Sequence, residues 1–411
     1  MKTQTTTRIV SLGVLAAVAG GSLLFGSRAV VTPAAATSIR LQDSTSRPAL
    51  DARIAALRER VAADPGDGEA AVGLADALMR AARVQSDASL PLEAERALKA
   101  TLQHGADYAA QRMLAAVYLS QHRFREGLDI ALKAQAEHPQ DAWNYAVAGD
   151  ALLELGSYDQ AFDMFDKAMA LRPDAGAYAR IAYAKELRGD LAGALDVMRI
   201  AAEATAAQDT EARAWVHAQL GLLSVQVGRL DDAERDLRRA EFFFPGHPYV
   251  RNGRIRVLIA RGHYADALDV AMRAPDTPET LAVRGDLLLR LGDAVAAEAS
   301  YVEAERLERD GWQSEEPQPA ALARFLAERN RRVGEAVVLA ERAAGERDDI
   351  HTMDALAWSY FKAGRVADAS RAIRRALRTG TADPRIRCHA AAIATARRTG
   401  ETRTCDPLKP L

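Results

Sequence analysis

The sequence predicts an all-α chain, an α-solenoid of tandem helical hairpins. Three observations carry this. A small residue recurs at Ala161, Ala194, Ala233, Ala267, Ala297, Ala336 and Ala369, with Ala161 to Ala194 and Ala233 to Ala267 lying 33 and 34 apart. A glycine often sits five residues earlier, at Gly156, Gly189, Gly228, Gly262, Gly292 and Gly364. Alanine, which favours helix and lets helices approach closely, is abundant, aromatics are only 6%, and few stretches alternate in the two-residue period of strands.

The length agrees. A chain of 411 residues exceeds the roughly 250–300 at which one compact core stops growing, so an elongated array is expected. The formal net charge of -2 argues against a dedicated nucleic-acid binder, which is usually strongly basic. Charge is unevenly spread: from Pro319 to Arg403 there are 17 Lys and Arg against 10 Asp and Glu, a basic tail behind an acidic front.

Along the chain, residues 1–36 read as an export segment. Lys2 and Arg8 precede an apolar run from Ile9 to Phe25, and Ala34, Ala35 and Ala36 form a cleavage-like site before Thr37. A cleaved signal peptide is the first reading and an uncleaved membrane anchor the second. Residues 37–49 are polar and read as a linker. Residues 50–67 hold a lone amphipathic helix that caps the front of the array. The repeats follow over 68–383, in about nine units beginning near 68, 108, 142, 175, 214, 248, 278, 317 and 350. Residues 384–411 are a capping helix and tail. Caps are needed because an end hairpin otherwise leaves an apolar face in water.

The internal logic of a unit is clearest from Ala142, which reads Ala148, Gly149, Leu152, Gly156, Tyr158, Ala161, Phe165, Ala168 and Pro173. The unit from Ala214 repeats it with Leu220, Gly221, Gly228, Leu230, Ala233, Leu237, Ala240 and Pro245. Small residues let the two helices of a hairpin touch, large ones fill the space between hairpins, and proline stops the second helix. This spacing resembles the tetratricopeptide repeat, a 34-residue helical hairpin. The resemblance runs over roughly residues 68–398. It implies a right-handed superhelix whose first helices line a concave groove. The family's signature Trp at the fourth position is missing from every unit. A loop at 84–90 and an irregular stretch at 310–319 interrupt the period.

In proteins of that family, the second, fifth, ninth and twelfth positions of the first helix commonly line the groove. Carried over, they mark Trp143, Asp150, Tyr183, Glu186, Trp215, Tyr249, Asn252, Arg256, Asp286, Phe325 and Trp358, with Glu328, His351, Asp354 and Phe361 beside them. Aromatic anchors among charges suit an extended peptide or a partner helix. The opposing reading is that several pack against the next hairpin, Trp358 first among them. Arg371, Arg374, Arg375 and Arg378 fall on a second helix and read as a solvated convex face.

No catalytic constellation survives comparison with a plainer reading. Ser359 and Lys362 match S-x-x-K, but no K-T-G or S-D-N partner accompanies them. His351 and Asp354 lie one helical turn apart without further ligands for a metal. There is no P-loop and no H-E-x-x-H motif, so no cofactor and no enzymatic activity are expected. Cys388 and Cys405 are the two cysteines. They either pair as a staple on the C-terminal cap, within reach of a tail that extends about 20 Å, or stand as one buried and one exposed thiol.

The expected function is a non-enzymatic protein–protein interaction module of the bacterial cell envelope, extracytoplasmic, and held at the inner membrane where the N-terminal segment is an uncleaved anchor. A carbohydrate-binding or cell-wall-binding accessory using the groove aromatics is the alternative.

Overall fold

A computed structural model describes residues 46–87, 89–311, 319–401 and 403–408. The export segment and most of the linker lie outside the described residues. Twenty α-helices and no strand are found among those described. Helix α1 (Arg47–Ala63) leads. The hairpins follow as α2 (Gly68–Gln85) with α3 (Ser89–His104), α4 (Tyr108–Ser120) with α5 (Phe124–Glu137), and α6 (Ala142–Glu154) with α7 (Tyr158–Leu171). Next come α8 (Ala175–Leu187) with α9 (Leu191–Ala204), α10 (Thr210–Gln226) with α11 (Leu230–Phe243), and α12 (Pro248–Ala260) with α13 (Tyr264–Met272). The last are α14 (Pro278–Arg290) with α15 (Ala294–Gly311), α16 (Pro319–Glu328) with α17 (Val333–Glu346), α18 (Ile350–Lys362) with α19 (Val366–Ala376), and the closing α20 (Pro384–Thr399).

First helices are started by a device the periodicity alone does not reveal. Asp107, Asp141, Asp174 and Asp209 each accept a backbone N–H from the first turn that follows. Asp349 and Asp383 do the same for α18 and α20. A carboxylate there satisfies orphan donors and complements the helix dipole. Proline lies in the first turn of α1, α12, α14 and α20, where its missing N–H costs nothing.

The hairpins close where a side chain is absent. At Gly149 an added Cβ would lie 2.5 Å from the Phe165 ring, and at Gly221 2.8 Å from Leu237. The small residues therefore set how near the paired helices approach, and the opposing Phe165 and Leu237 fill the crossing.

The array does not stay open. Units four to six apart in sequence meet. Arg80 of α2 pairs with Asp209 at 3.0 Å, and Arg83 grips both oxygens of Glu211, 2.7 Å from Nε to Oε1. Glu211 also faces His247 Nε2 at 3.3 Å, while the Tyr249 N–H donates to His247 Nδ1 at 3.3 Å. That second bond fixes the tautomer: Nε2 carries the proton and donates to Glu211.

Further along, the turn between α6 and α7 docks on the segment before α18. The Asp348 N–H donates to the Leu155 carbonyl at 3.3 Å, and the Ile350 N–H to the Tyr158 hydroxyl at 2.8 Å. Arg378 donates to the Gly156 carbonyl at 3.1 Å. An added Cβ at Gly189 would lie 2.6 Å from the Gly380 carbonyl oxygen, so the next turn also touches the far end of the array. The result is a solenoid curled on itself around a central lumen.

Candidate functional site

The inner face of the curl is built from first helices and from the start of α20. Glu186 of α8, Arg256 of α12, Glu279 of α14, Arg324 of α16, His351 of α18 and Asp383 with Arg385 at α20 face one another electrostatically across this interior. Arg256 is exposed, and Glu186, Glu279, Arg324, Glu328, His351, Asp383 and Arg385 are half-buried. The walls still desolvate them. Burial lowers the Arg256 and Arg324 guanidinium pKa values, an outcome that neighbouring carboxylates only partly oppose. Burial pushes the Asp383 carboxyl up, but Arg385, His351 and the Ile386 N–H outweigh it and hold it at about 2.

Pairing inside this lumen is incomplete. Glu186 accepts from Gln226 at 2.6 Å, Asn252 accepts from Arg256 Nε at 3.2 Å, and Arg385 lies 3.4 Å from both Asp354 and His351 Nδ1. Neither Arg256 nor Arg324 has a carboxylate at ion-pair distance among the described residues. Burial raises Glu308 to about 8, with repulsion from Glu279 adding to it against the pull of Arg324.

The structure divides the sequence-predicted residues. Glu186, Asn252 and Arg256 reach the lumen. Tyr249 is half-buried, its ring 5.5 Å from that of His247. Tyr183 is half-buried beside Glu154, and burial holds its hydroxyl pKa well above the usual range. Trp143 is half-buried against the core, with Arg112 stacked 4.9 Å from its ring.

Five others are corrected. Trp215 and Trp358 are each 2% exposed. Trp215 packs with Ala179, Leu195 and Val216, and Trp358 stacks on His389 at 3.9 Å. Phe325 is buried under the Arg329 guanidinium. Asp150 is buried in a two-oxygen grip by Arg180, at 3.0 and 2.8 Å, and burial still raises it to about 6. Asp286 is buried between the Tyr301 hydroxyl at 2.8 Å and Arg329 at 2.7 Å. These side chains join neighbouring helices and present no free face to a ligand.

The residues that were missed follow from register. In α16, the missed Arg324 lies one turn before Glu328, which the repeat positions did mark, and shares its lumen face, whereas Phe325 is rotated about 100° into the core. The irregular stretch before Pro319 hides that register. Asp383 and Arg385 lie beyond the last full repeat, and the signal that could have found them is the aspartate cap at repeat spacing. Among the four arginines read as convex, Arg378 bonds the Gly156 and Asp348 carbonyls and so helps close the curl, whereas Arg375 pairs locally with Asp348 at 2.9 Å.

Ser359 of the S-x-x-K match is wholly buried, and Asp354 binds His389 Nδ1 at 2.8 Å instead of sharing a metal with His351. Among the described residues no cluster of three or more His, Cys, Asp or Glu could hold a metal ion. No helix among them is long and apolar enough to cross a membrane. Cys388 and Cys405 form a disulfide, with their Cα atoms 5.9 Å apart.

One buried cluster carries a pH dependence. Glu154 and Asp349 share the Arg347 guanidinium at 3.5 and 3.2 Å. Burial raises the Glu154 carboxyl from its ordinary 4.5 to about 8 despite Arg347, and Asp349 repels it further. A carboxyl whose pKa is higher in the fold than in the open chain stabilises at low pH. That contribution is complete below 4.5 and is lost as the pH rises to about 8. Glu154→Gln is therefore expected to flatten the fall in melting temperature across that window and to melt above the wild type at its upper end. Parallel curves for the two proteins would place an ionised Glu154 in the fold.

Known proteins share this architecture. A family model described as tetratricopeptide repeat matches residues 144–174. Human tetratricopeptide repeat protein 36 is 33% identical over 169 residues, a match that covers 86% of that protein and 38% of this chain. The chain belongs to the tetratricopeptide repeat family. The mouse protein of the same name is 35% identical over 134 residues, covering 67% of it and 32% of this chain. Among solved structures, the human IFIT1 dimer with m7Gppp-AAAA superposes with a TM-score of 0.52 at 14% identity, covering 81% of this chain and 77% of that one. The Cut9–Hcn1 tetramer of the APC/C gives a TM-score of 0.44 at 14% identity, covering 84% of this chain, which spans 59% of the length of that one. These structural likenesses concern the fold. Tetratricopeptide repeats generally mediate protein–protein interactions, and proteins of the family are typically non-catalytic scaffolds.

Proposed function

We propose that this tetratricopeptide array is a non-enzymatic interaction module of the bacterial cell envelope, binding an extended segment of a partner protein along the lumen. The observation that carries the reading is the lumen lining: solvent-accessible charges of both signs from successive first helices, with Arg256 and Arg324 lacking carboxylate partners. A guanidinium held in a crowded wall gains most from a carboxylate that arrives with a ligand. Acidic side chains on the bound segment would supply it. The glutamates and Asp383 that share the wall with the arginines disfavour a polyanion such as nucleic acid. The burial of Trp215 and Trp358 takes away the stacking platforms that a glycan would use. An extracytoplasmic location is supported by the export-like residues 1–36 and by the cysteine pairing, which persists in oxidising compartments.

The test is crosslinking capture in cells, comparing wild type with Arg256→Ala/Arg324→Ala. Defined proteins are expected with the wild type. Their yield should fall about tenfold in the variant, in keeping with two desolvated charge contacts. Capture that is equal in both would move the contact surface away from the lumen.

A further inference from the structure

Residues 403–408 turn back on the array. Cys405 is bonded to Cys388 near the start of α20. Beyond it, Asp406 pairs with Arg290 at the end of α14, and the same guanidinium lies 5.3 Å from the Tyr264 ring of α13. The Leu408 N–H donates to Asp406 Oδ1 at 3.0 Å, which shapes the turn. Leu408 is 5% exposed and enters the apolar cluster of Ile255, Ala267, Ala271 and Leu287. The tail thus joins the closing helix to the sixth and seventh hairpins, passing over the eighth and ninth.

We propose that residues 403–408 are a redox-locked clasp: the disulfide holds Leu408 and Asp406 on the α12–α14 surface, and a dithiol reductant releases them. A thiolate of the reductant attacks one sulfur of the Cys388–Cys405 bond and forms a mixed disulfide. The second thiol of the reductant displaces the remaining cysteine. Cys388 and Cys405 end as thiols, having taken two electrons and two protons, and the reductant ends as its own disulfide. Both cysteines are half-buried, so an incoming thiolate has access.

The tether arithmetic sets the size of the effect. In the oxidised chain Leu408 hangs three residues from an atom fixed to α20, and in the reduced chain nine residues from the helix end at Thr399. Effective concentration falls roughly as the three-halves power of tether length, so release weakens docking about fivefold. The consequence reaches the lumen because Asp383 and Arg385 stand at the start of the same helix. Only that consequence rests on the partner-binding reading; the clasp itself needs no partner.

Hydrogen exchange of the full-length chain, with and without dithiothreitol, tests it. Reduction is expected to raise exchange of the 403–408 amides about fivefold and to loosen α13, while helical content is unchanged. Cys405→Ser should show the reduced pattern without reductant and respond no further to it. Leu408→Asp should free the tail with the disulfide intact, a control that leaves α20 untouched. Equal tail exchange in oxidised and reduced protein would overturn the clasp, as would thiol labelling of both cysteines before reduction. Partner capture is read separately, so either idea can fail while the other stands.

Discussion

Arg83→Met is expected to destabilise the fold by about 3–5 kcal/mol, because it strands the Glu211 carboxylate inside the protein. Glu211 is 1% exposed, and its acceptor sites are served by Arg83 and His247. Burial by itself would raise its pKa. Arg83 and the His247 hydrogen bond more than reverse that and hold the carboxyl well below its ordinary value. Removing the Arg83 guanidinium takes away the strongest opposition to the burial cost and leaves His247 at 3.3 Å and Arg80 at 3.7 Å to offset it only in part. A paired replacement, Arg83→Met with Glu211→Leu, should recover most of the loss, since an apolar pair of similar volume avoids desolvation altogether.

The acid limb gives a second reading of the same pair. A carboxyl with a depressed pKa contributes stability at and above its ordinary value, and that contribution is lost as the pH falls toward the folded value. The wild type should therefore lose stability in acid more steeply than the Arg83→Met/Glu211→Leu variant. Urea denaturation at a series of pH values measures both. Equal acid slopes, or a single variant that melts with the wild type, would mean that the ion pair does not hold the second helix to the fifth hairpin.

Gly156→Ala is the other large effect, expected at about 3 kcal/mol. Its φ is +85°, a conformation that costs an L-residue on the order of 1–2 kcal/mol. The added Cβ would also lie 2.5 Å from the Asp348 carbonyl carbon, where backbone from the far end of the array docks. The backbone must then shift, and the bonds of Asp348 and Arg378 to that turn go with it. Gly262 is the control. Its φ is +77° and nothing lies within 4 Å of an added Cβ, so Gly262→Ala should cost only the conformational part. A matched loss in the two melts would show that closure of the curl adds nothing at this turn.

The repeat architecture was readable because its signals are local. Ala161, Gly149 and Gly156 recur at fixed offsets for steric reasons that act within one hairpin. What the period could not convey is contact between distant units. Trp215 and Trp358 occupy groove positions by count, but each is sealed by a neighbouring helix. Asp150 and Asp286 look like surface charges until Arg180 and Arg329 are found beside them. Those partners lie 30 and 43 residues away, and no rule of helical spacing pairs them. The lumen arginines were half legible: Arg256 kept its register, while Arg324 lost it behind the irregular stretch.

The curl also changes how the molecule would respond to load. An open solenoid touches only its neighbours, so force on the ends peels hairpins away one at a time. Here the first hairpin is riveted to the fifth and sixth, and the third to the eighth and ninth. Tension at either end is therefore shared by units far from it, and the chain should resist to a common threshold and then give way in large steps. Mechanically the molecule is closer to a buckled belt than to a spring.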